Sequence, residues 1–246
     1  GSRLFAIAWV CDRPSISIRR HRYLKLTLQD LIGMGAVDLG IASFLDAAVK
    51  AHKQILVAGA TGAGKTTMLR ALASSIPPDE RIVTIETENE LGLDRFPELH
   101  PNCLALECRV ANMEGVGEIT ASKLVRDALR MNPDRVIVGE VRGDEIIDML
   151  NAMSGGNDGS MCTIHSDSSG TVFNKLALYA MQSPQRLPIE VTNELAADAV
   201  DLVIWINKSR KGRFVGSIRQ VTGADGRQVI TNELFKPGPD GRAIPG

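Results

Sequence analysis

QILVAGATGAGKTTMLRAL, at residues 54–72, is the stretch of sequence that decides the fold. It begins with an apolar run, continues through the pattern GxxxxGK[ST], and ends with apolar residues at helical spacing. This pattern binds phosphate when it lies between a buried strand and the start of a helix. The alternative is an ordinary glycine-rich turn between a core strand and a core helix. Because strand, spacing and helix agree, the stretch predicts a phosphate-binding loop.

The residue types of this loop suit a phosphate chain. Its glycines permit backbone conformations that are closed to other residues, so that N–H groups approach phosphate oxygens, and the new helix adds the positive end of its dipole. Lys65 offers a mobile charge for the β- and γ-phosphates, and the Thr66 hydroxyl can bind Mg²⁺. ATP with Mg²⁺ is the expected ligand. The nucleotide-binding candidates are Gly59, Ala60, Thr61, Gly62, Ala63, Gly64, Lys65, Thr66 and Thr67.

Composition limits the class of protein. The chain has 246 residues, of which 44% are hydrophobic and 23% charged, enough for one sizeable core. No apolar run approaches the ~20 residues of a transmembrane helix, and no signal peptide is visible, so we expect a cytoplasmic protein that meets a membrane through partners. Aromatic residues make up only 4%, which is poor material for stacking nucleic-acid bases.

The N-terminal stretch differs from the rest of the chain. Residues 1–26 carry six Lys and Arg against one Asp, although the net charge of the whole chain is −1. Two short strands precede the basic segment at residues 18–25, and two strands do not make a domain. We therefore expect residues 1–26 to be the end of a truncated N-terminal domain plus a basic linker. The linker is either simply solvated or carries arginines on a hinge towards bound phosphate.

Residues 27–246 are expected to form the nucleotide-binding domain, closed by a hairpin at residues 213–235 and a frayed end after Lys236. Strands alternate with helices here, which predicts an α/β fold with a mostly parallel, twisted sheet. Several strands end in polar residues. In such folds the site lies at the carboxyl ends of the strands. The polar residues at or just after strand ends are Glu86, Glu88, Glu90, Glu140 and His165.

Hydrolysis of ATP at such a loop needs a carboxylate near Mg²⁺ and the attacking water, a contact to the γ-phosphate and additional positive charge. Glu140 follows an apolar strand in the order typical of the Walker-B position; the alternative is a helix-capping or ion-paired glutamate. His165 is placed to contact the γ-phosphate, although a lone histidine is as readily structural. The metal-binding candidates are Thr66 and Glu140.

Four arginines are candidates for the additional positive charge. Arg126 and Arg130 lie one turn apart on the polar face of a predicted helix, Arg142 follows Glu140 at the catalytic edge, and Arg109 precedes that helix. We expect at least one of them to reach the nucleotide of a neighbouring subunit. The alternative is that they form surface pairs with nearby aspartates, which contribute little energy.

Four blocks of sequence together resemble the secretion and pilus ATPase superfamily, and most closely the CpaF-like ATPases of tight-adherence pilus systems. They span most of residues 54–167 in the family's order. The segment SISIRRH is also similar to the linker that joins the family's N-terminal and motor domains. The blocks are GATGAGKTT at 59–67, TIETENE at 84–90, LVRDALRMNPDRVIVGEVRG at 124–143 and GGNDGSMCTIHSDS at 155–168.

Two residues depart from the family pattern. The Asp of the family's Asp box is Thr87 here, so the resemblance leaves the acid function of that box to Glu86 and Glu90. The first His of the family's His box is Asn157, which leaves His165 as its titratable member. Neither change removes a part that hydrolysis needs.

The resemblance implies a RecA-like motor domain in a homohexameric ring at the cytoplasmic face of the inner membrane. Such a motor would couple Mg-ATP hydrolysis to pilus-subunit assembly or substrate export, with an inner-membrane platform protein as partner. The rival interpretation is a RecA-like motor acting on nucleic acid, which the near-neutral charge and few aromatic residues disfavour. A nucleotide-binding scaffold without turnover is the third possibility, which the intact Lys65, Thr66 and Glu140 disfavour.

Overall fold

Strands and helices alternate through most of the chain in a computed structural model, which describes residues 2–20, 25–210 and 212–246. The strands are β1 Ser2–Ile7, β2 Ser15–Arg20, β3 Ile55–Gly59, β4 Ile82–Glu86, β5 Cys103–Glu107, β6 Arg135–Val141, β7 Met161–His165, β8 Leu202–Ser209, β9 Gly212–Ala224, β10 Val229–Pro237 and β11 Ala243–Pro245. The helices are α1 Leu28–Gly33, α2 Leu39–Lys50, α3 Lys65–Ala73, α4 Ala121–Leu129, α5 Glu145–Ser154, α6 Val172–Gln182 and α7 Ile189–Ala199, with a 3-10 turn at Leu93–Arg95.

One large sheet organises the molecule. Within the described residues it has nine strands in the order β11-β10-β9-β8-β3-β7-β6-β4-β5. The six from β8 to β5 run parallel, and β9, β10 and β11 extend one side antiparallel. The predicted α/β fold with a mostly parallel sheet is confirmed. Because the carboxyl ends of parallel strands meet at one edge, the segments after β3, β7, β6 and β4 lie side by side.

Helices cover both faces of this sheet, so its central strands are apolar throughout. Along β3, Ile55 and Val57 pack in the core layer that contains α1, α2 and α3. Leu56 and Ala58 point the other way, into the layer built by α4 to α7. The alternation follows from the two-residue period of a strand, and it anchors the phosphate-binding loop between two cores.

The ends of several elements differ from the sequence expectations. Asp38 caps α2 as its position predicts, its side chain accepting the Ile41 N–H at 2.7 Å. Asp144 also occupies the N-cap position of α5, as its place in the sequence predicts, but its side chain makes no capping hydrogen bond. Glu145 instead accepts the N–H groups of Arg142, at 2.5 Å, and Gly143, at 3.1 Å. Both N–H groups precede the helix, so this contact holds the turn before α5 and does not cap its first turn.

Of the two predictions for the C-terminal region, the hairpin and the frayed end, one is confirmed and one is wrong. The predicted hairpin is present, since β9 and β10 pair antiparallel. The predicted frayed end after Lys236 is wrong, because Ala243–Pro245 forms β11 and pairs with β10. Ala243 is buried in the first core layer, so the burial of this side chain holds the segment in place.

The β1–β2 hairpin stands apart from the large sheet as a two-stranded unit. Its apolar side chains are largely exposed, with Phe5 62% and Trp9 98% accessible. The division into residues 1–26 and 27–246 remains a prediction, and residues 21–24 of the basic segment lie outside the described part of the chain. Among the residues that the structure describes, no helix is long and apolar enough to cross a membrane.

Candidate active site

The loop between β3 and α3 has the backbone form that phosphate binding requires. Gly62 and Gly64 have φ angles of 69° and 100°, in the left-handed region that favours glycine. A side chain at Gly59 would lie 2.9 Å from the Ile206 carbonyl oxygen, so glycine is also needed where the strand ends. Gly64 precedes α3 without a side-chain cap, which leaves the first N–H groups of this helix available to an anion.

Lys65 lies at the base of this loop and is 7% exposed. Its Nζ donates to the carbonyl oxygens of Gly59, at 3.1 Å, and Ala60, at 3.4 Å. It also lies 3.1 Å from His165 Nδ1 and 3.7 Å from Glu140 Oε1. Burial lowers the pKa of Lys65, and the Glu140 carboxylate opposes that change. The lysine is therefore held by groups that a phosphate can replace.

His165 connects Lys65 to Glu140. An ammonium group can only donate, so His165 Nδ1 accepts from Lys65 and the proton of the neutral ring lies on Nε2. Nε2 then donates to Glu140 Oε1 at 2.5 Å. Burial, followed by the charge of Lys65, lowers the pKa of His165, which favours this neutral form. Glu140 Oε2 in turn pairs with Arg142. One tautomer of His165 satisfies both neighbours.

Strand irregularity places Glu140 in this network. The pairing of β6 with β7 shifts register between Val138 and Val141, at Gly139 and Glu140. Such a bulge redirects side chains at a strand end. Thr163 Oγ1 donates to the Gly139 carbonyl at 2.7 Å and fixes the bulged backbone. Of the two alternatives for Glu140, the helix cap does not match its contacts, whereas the ion pair does, since Glu140 contacts Lys65, His165 and Arg142.

Residues 86–91, here called the acid loop, leave the end of β4 beside this network. Glu86 is 6% exposed and accepts the N–H groups of Glu90, at 3.2 Å, and Leu91, at 3.0 Å. Burial raises its pKa to about 7, although these two N–H groups oppose the shift. Gly139 leaves room for the Glu86 side chain, because a Cβ at Gly139 would lie 2.7 Å from Glu86 Cγ. Glu90 pairs with Arg19 of β2 at 2.9 Å.

These groups surround a cavity of about 320 Å³. It is lined by Thr61 to Thr67 of the loop, and by the predicted residues Glu86, Glu88, Glu90, Glu140, Arg142 and His165. A second cavity of about 320 Å³ adjoins it through Gly64, Thr67 and Arg213. Its walls are mainly apolar side chains, including Leu26, Leu31, Met34 and Phe214. A charged cavity and an apolar one therefore share the phosphate-binding loop as a wall.

The four predicted arginines separate in the structure. Only Arg142 lines the charged cavity, where it pairs with Glu140. Arg126 pairs with Asp148 at 2.7 Å within the same chain. Arg109 donates to the Gly117 carbonyl, and Arg130 ends α4. Of these four candidates, the structure brings only Arg142 to the site within this chain and leaves three elsewhere.

Two basic residues that the sequence reasoning missed contact the phosphate-binding loop. Arg213 Nε donates to the Gly62 carbonyl at 2.7 Å, and Lys208 Nζ donates to the Thr61 carbonyl at 3.3 Å. They come from β9 and β8, and β8 is the neighbour of β3. The basic string KSRKGR at residues 208–213 was the available signal. Arg19, from the basic N-terminal segment, also lines the cavity, as the hinge interpretation of that segment expects.

The fold defines the class as an α/β protein with a mostly parallel sheet, and a glycine-rich loop that matches the predicted phosphate-binding pattern follows its strand β3. The chain belongs to the Type II/IV secretion system protein family, whose sequence profile matches residues 6–208. The CpaF-like subfamily within it remains a prediction.

Two curated proteins illustrate the similarity. The chain is 40% identical over 216 residues to a putative conjugal transfer protein of Mycobacterium tuberculosis, an alignment that covers 85% of this chain and 59% of that protein. It is 40% identical over 167 residues to the type IV secretion system protein PtlH of Bordetella pertussis, covering 67% of this chain and 48% of PtlH. The chain thus spans 59% and 48% of the length of these relatives.

Solved structures agree with this assignment. The VirB11 ATPase of the Brucella suis type IV secretion system, solved in complex with sulphate, matches with a TM-score of 0.65 and 31% identity over 89% of this chain and 71% of that one. The pilus retraction motor PilT with bound ADP matches with a TM-score of 0.60 over 98% of this chain and 65% of that one. At 18% identity, the PilT match shows the fold alone.

Proposed function

We propose that this chain is the motor part of an ATPase that hydrolyses Mg-ATP in a bacterial secretion or pilus machine. The observation that carries the proposal is the contact of Lys65 with His165 and Glu140 at the base of the phosphate-binding loop. A lysine that binds phosphate, a carboxylate and a histidine are the groups that hydrolysis at such a loop needs. Membership of the secretion-system family supports the same function.

The two adjoining cavities support a nucleotide as the ligand. The charged cavity would hold the phosphates against the first N–H groups of α3 and Lys65. The apolar cavity would hold the base, since it opens from Gly64 and Thr67 and is walled by Leu31 and Phe214. Thr66 and Glu140 offer the hydroxyl and carboxylate oxygens that Mg²⁺ prefers. Bound Mg²⁺ would neutralise charge that develops on the phosphates.

The side chains around the charged cavity would divide the chemistry. Lys65 exchanges the Gly59 and Ala60 carbonyls and His165 for phosphate oxygens, because a phosphate is the stronger partner for an ammonium group. His165, released on one side, can turn its ring towards the γ-phosphate. Glu86 and Glu90 lie on the other wall, where a carboxylate can orient the attacking water or accept its proton.

Assembly and location belong to the same proposal. We infer a homohexameric ring, in the cytoplasm at the inner face of the membrane, that works on an inner-membrane platform protein of a CpaF-like tight-adherence pilus system. In this arrangement residues 1–26 form the end of an N-terminal domain with its linker, and residues 27–246 form the RecA-like ATPase domain. The resemblance of the four sequence blocks supports this, and no nucleic-acid partner is expected.

Phosphate release with Mg-ATP tests the function directly. We expect turnover by the protein and none by Lys65→Ala, with no stimulation by DNA. Stimulation by DNA that is lost as salt rises would favour the nucleic-acid motor instead. Binding of ATP without any turnover would favour the scaffold.

A mixing experiment tests the arginine that acts between subunits. Specific activity should rise with protein concentration. Mixing inactive Lys65→Ala with an inactive variant of Arg109, Arg126, Arg130 or Arg142 should restore partial turnover, because each supplies the half-site that the other lacks. Activity that is independent of concentration, with no rescue for any of the four, would mean that the site is complete within one chain.

A further inference from the structure

We propose that Arg70 is a positioning residue, which holds the acid loop against the phosphate site and so fixes the carboxylate of Glu86. Arg70 lies on α3, the helix that begins at Lys65, and its guanidinium reaches across to the acid loop. The inference rests on the proposed ATP hydrolysis and adds to it a residue outside the sequence blocks that resemble the family.

The contacts of Arg70 converge on two residues. Its Nε donates to the Leu91 carbonyl at 2.9 Å, and its Nη2 donates to the Glu90 carbonyl. The N–H groups of Glu90 and Leu91 donate in turn to Glu86, at 3.2 and 3.0 Å. The carbonyl groups of Glu90 and Leu91 thus bind the Arg70 guanidinium, while their N–H groups bind the Glu86 carboxylate.

The chemistry of this position suits arginine. The side chain is 8% exposed, and a guanidinium is a planar fork whose separate N–H groups can bind two carbonyl oxygens at fixed angles. A lysine offers a single charged atom at the end of a flexible stem, so it cannot hold both carbonyls in the same geometry. The arginine therefore supplies rigidity as well as charge.

The acid loop needs such a support because it leaves the sheet at Glu86. The charged groups that face Glu86 are Glu90 on the acid loop and Arg70 on α3, with the Cys103 thiol on the neighbouring strand β5. The repulsion from Glu90 would push the carboxylates apart, and Arg70 opposes it. Since α3 also carries the phosphate-binding N–H groups, Arg70 ties the carboxylate and the phosphate to one rigid element. A displacement of about 1 Å in such a group can lower the rate about 10²-fold.

Arg70→Gln is the test, with Arg219→Gln as the matched control. Arg219 is also a partly buried arginine, bound to Ser169, Thr231 and Glu233, but it lies on β9 away from the acid loop. We expect kcat of Arg70→Gln to fall about 10²-fold. The Kd for fluorescent ADP should change little, because Lys65 and the loop N–H groups remain. Amide hydrogen exchange should become faster in peptides that cover residues 86–93. Arg219→Gln should show neither the fall in kcat nor the faster exchange.

The inference is overturned if folded Arg70→Gln keeps the wild-type kcat, or if the acid-loop amides stay protected while kcat and nucleotide affinity fall together. If Arg70→Gln does not fold, Arg70→Lys decides, since it keeps the charge: a lower kcat with faster acid-loop exchange supports the inference, and wild-type values of both overturn it. Failure of the proposed function looks different. A wild-type protein without turnover contradicts hydrolysis, and the exchange data still decide whether Arg70 holds the loop.

Discussion

Two ion-pair clusters lie at opposite ends of the same sheet, and they are built differently. At the amino end, Arg135 on β6 is completely buried, and its guanidinium binds both carboxylate oxygens of Glu80. A further N–H donates to the Val49 carbonyl at 2.9 Å. At the carboxyl end, Lys65 and Glu140 are 3.7 Å apart and open onto the cavity. We call the Arg135–Glu80 pair the closed cluster, because its groups are bonded within the protein, and the Lys65–Glu140 pair the open cluster, because it faces the cavity.

The difference supports a structural role for the Arg135–Glu80 pair and the proposed functional role for the Lys65–Glu140 pair. Gly159 makes room for Arg135, because a Cβ there would lie 2.4 Å from the guanidinium, so the guanidinium is tightly packed. Lys65 instead holds carbonyls and His165, weaker partners than a phosphate. Buried charges whose hydrogen bonds are all made within the protein have no partner to give up to a ligand. Charges beside a cavity can exchange a protein partner for a ligand. Burial alone would not distinguish them, since Lys65 is only 7% exposed.

Lys65→Ala should break the open cluster with the largest effect. It removes the charge that meets the β- and γ-phosphates, so binding and charge stabilisation are lost together. We expect kcat/KM for ATP to fall by about 10⁴-fold or more. Phosphate release and nucleotide titration measure this, with the melting curve as a check of the fold. Turnover at the wild-type rate would contradict the P-loop assignment.

Glu140→Gln should separate binding from chemistry in the same cluster. The amide keeps the shape of the side chain but loses its negative charge, so ATP should bind nearly as in the wild type while kcat falls about 10²–10³-fold. Single-turnover experiments on the bound nucleotide measure the chemical step. Poor binding together with continued hydrolysis of the bound fraction would show that Glu140 is structural.

Arg135→Gln should affect the closed cluster alone. It removes the bidentate partner of the largely buried Glu80 and leaves His52, at 3.5 Å, beside it; breaking such a pair typically costs about 3–5 kcal/mol of folding free energy. Denaturant unfolding measures this loss, while turnover per folded molecule should stay at the wild-type level. Lys50→Gln is the control, because the Lys50–Asp46 pair is exposed and should change stability little. A large loss of kcat in folded Arg135→Gln would contradict the division into structural and functional clusters.

The pH dependence should show the smallest effect. If Glu86 accepts a proton, activity should rise about tenfold between pH 6 and pH 8, since burial raises its pKa to about 7. Glu86→Gln should lose this inflection.

The same pKa shift of Glu86 predicts that the free energy of unfolding falls as pH rises from 4.5, the ordinary pKa of this group, to about 7. The reason is that the native carboxyl group binds the proton more tightly than the unfolded one. Unfolding curves across this range test the sign, and a flat wild-type profile would contradict it.

Much of the arrangement at the carboxyl edge of the sheet could be predicted from sequence because the signals are local. The glycines at residues 62 and 64 indicate positive φ angles, and the apolar run of β3 indicates a buried strand. Polar residues at strand ends predicted which side chains would line one cavity, since parallel strands share one carboxyl edge. The end of the chain was mispredicted, and the missing side-chain hydrogen bond of Asp144 was not foreseen, because both depend on contacts that spacing does not reveal.

The sequence by itself determined the glycine-rich loop after β3, the α/β class and the candidate residues for the proposed site. Only the tertiary structure decided which of them meet: that His165 lies between Lys65 and Glu140, that Arg142 lines the cavity whereas Arg126 pairs with Asp148, and that Arg213 binds the loop. The reason is physical. Periodicity and glycine positions describe neighbours along the chain, whereas these contacts join residues far apart in it and depend on the strand order β8-β3-β7-β6-β4.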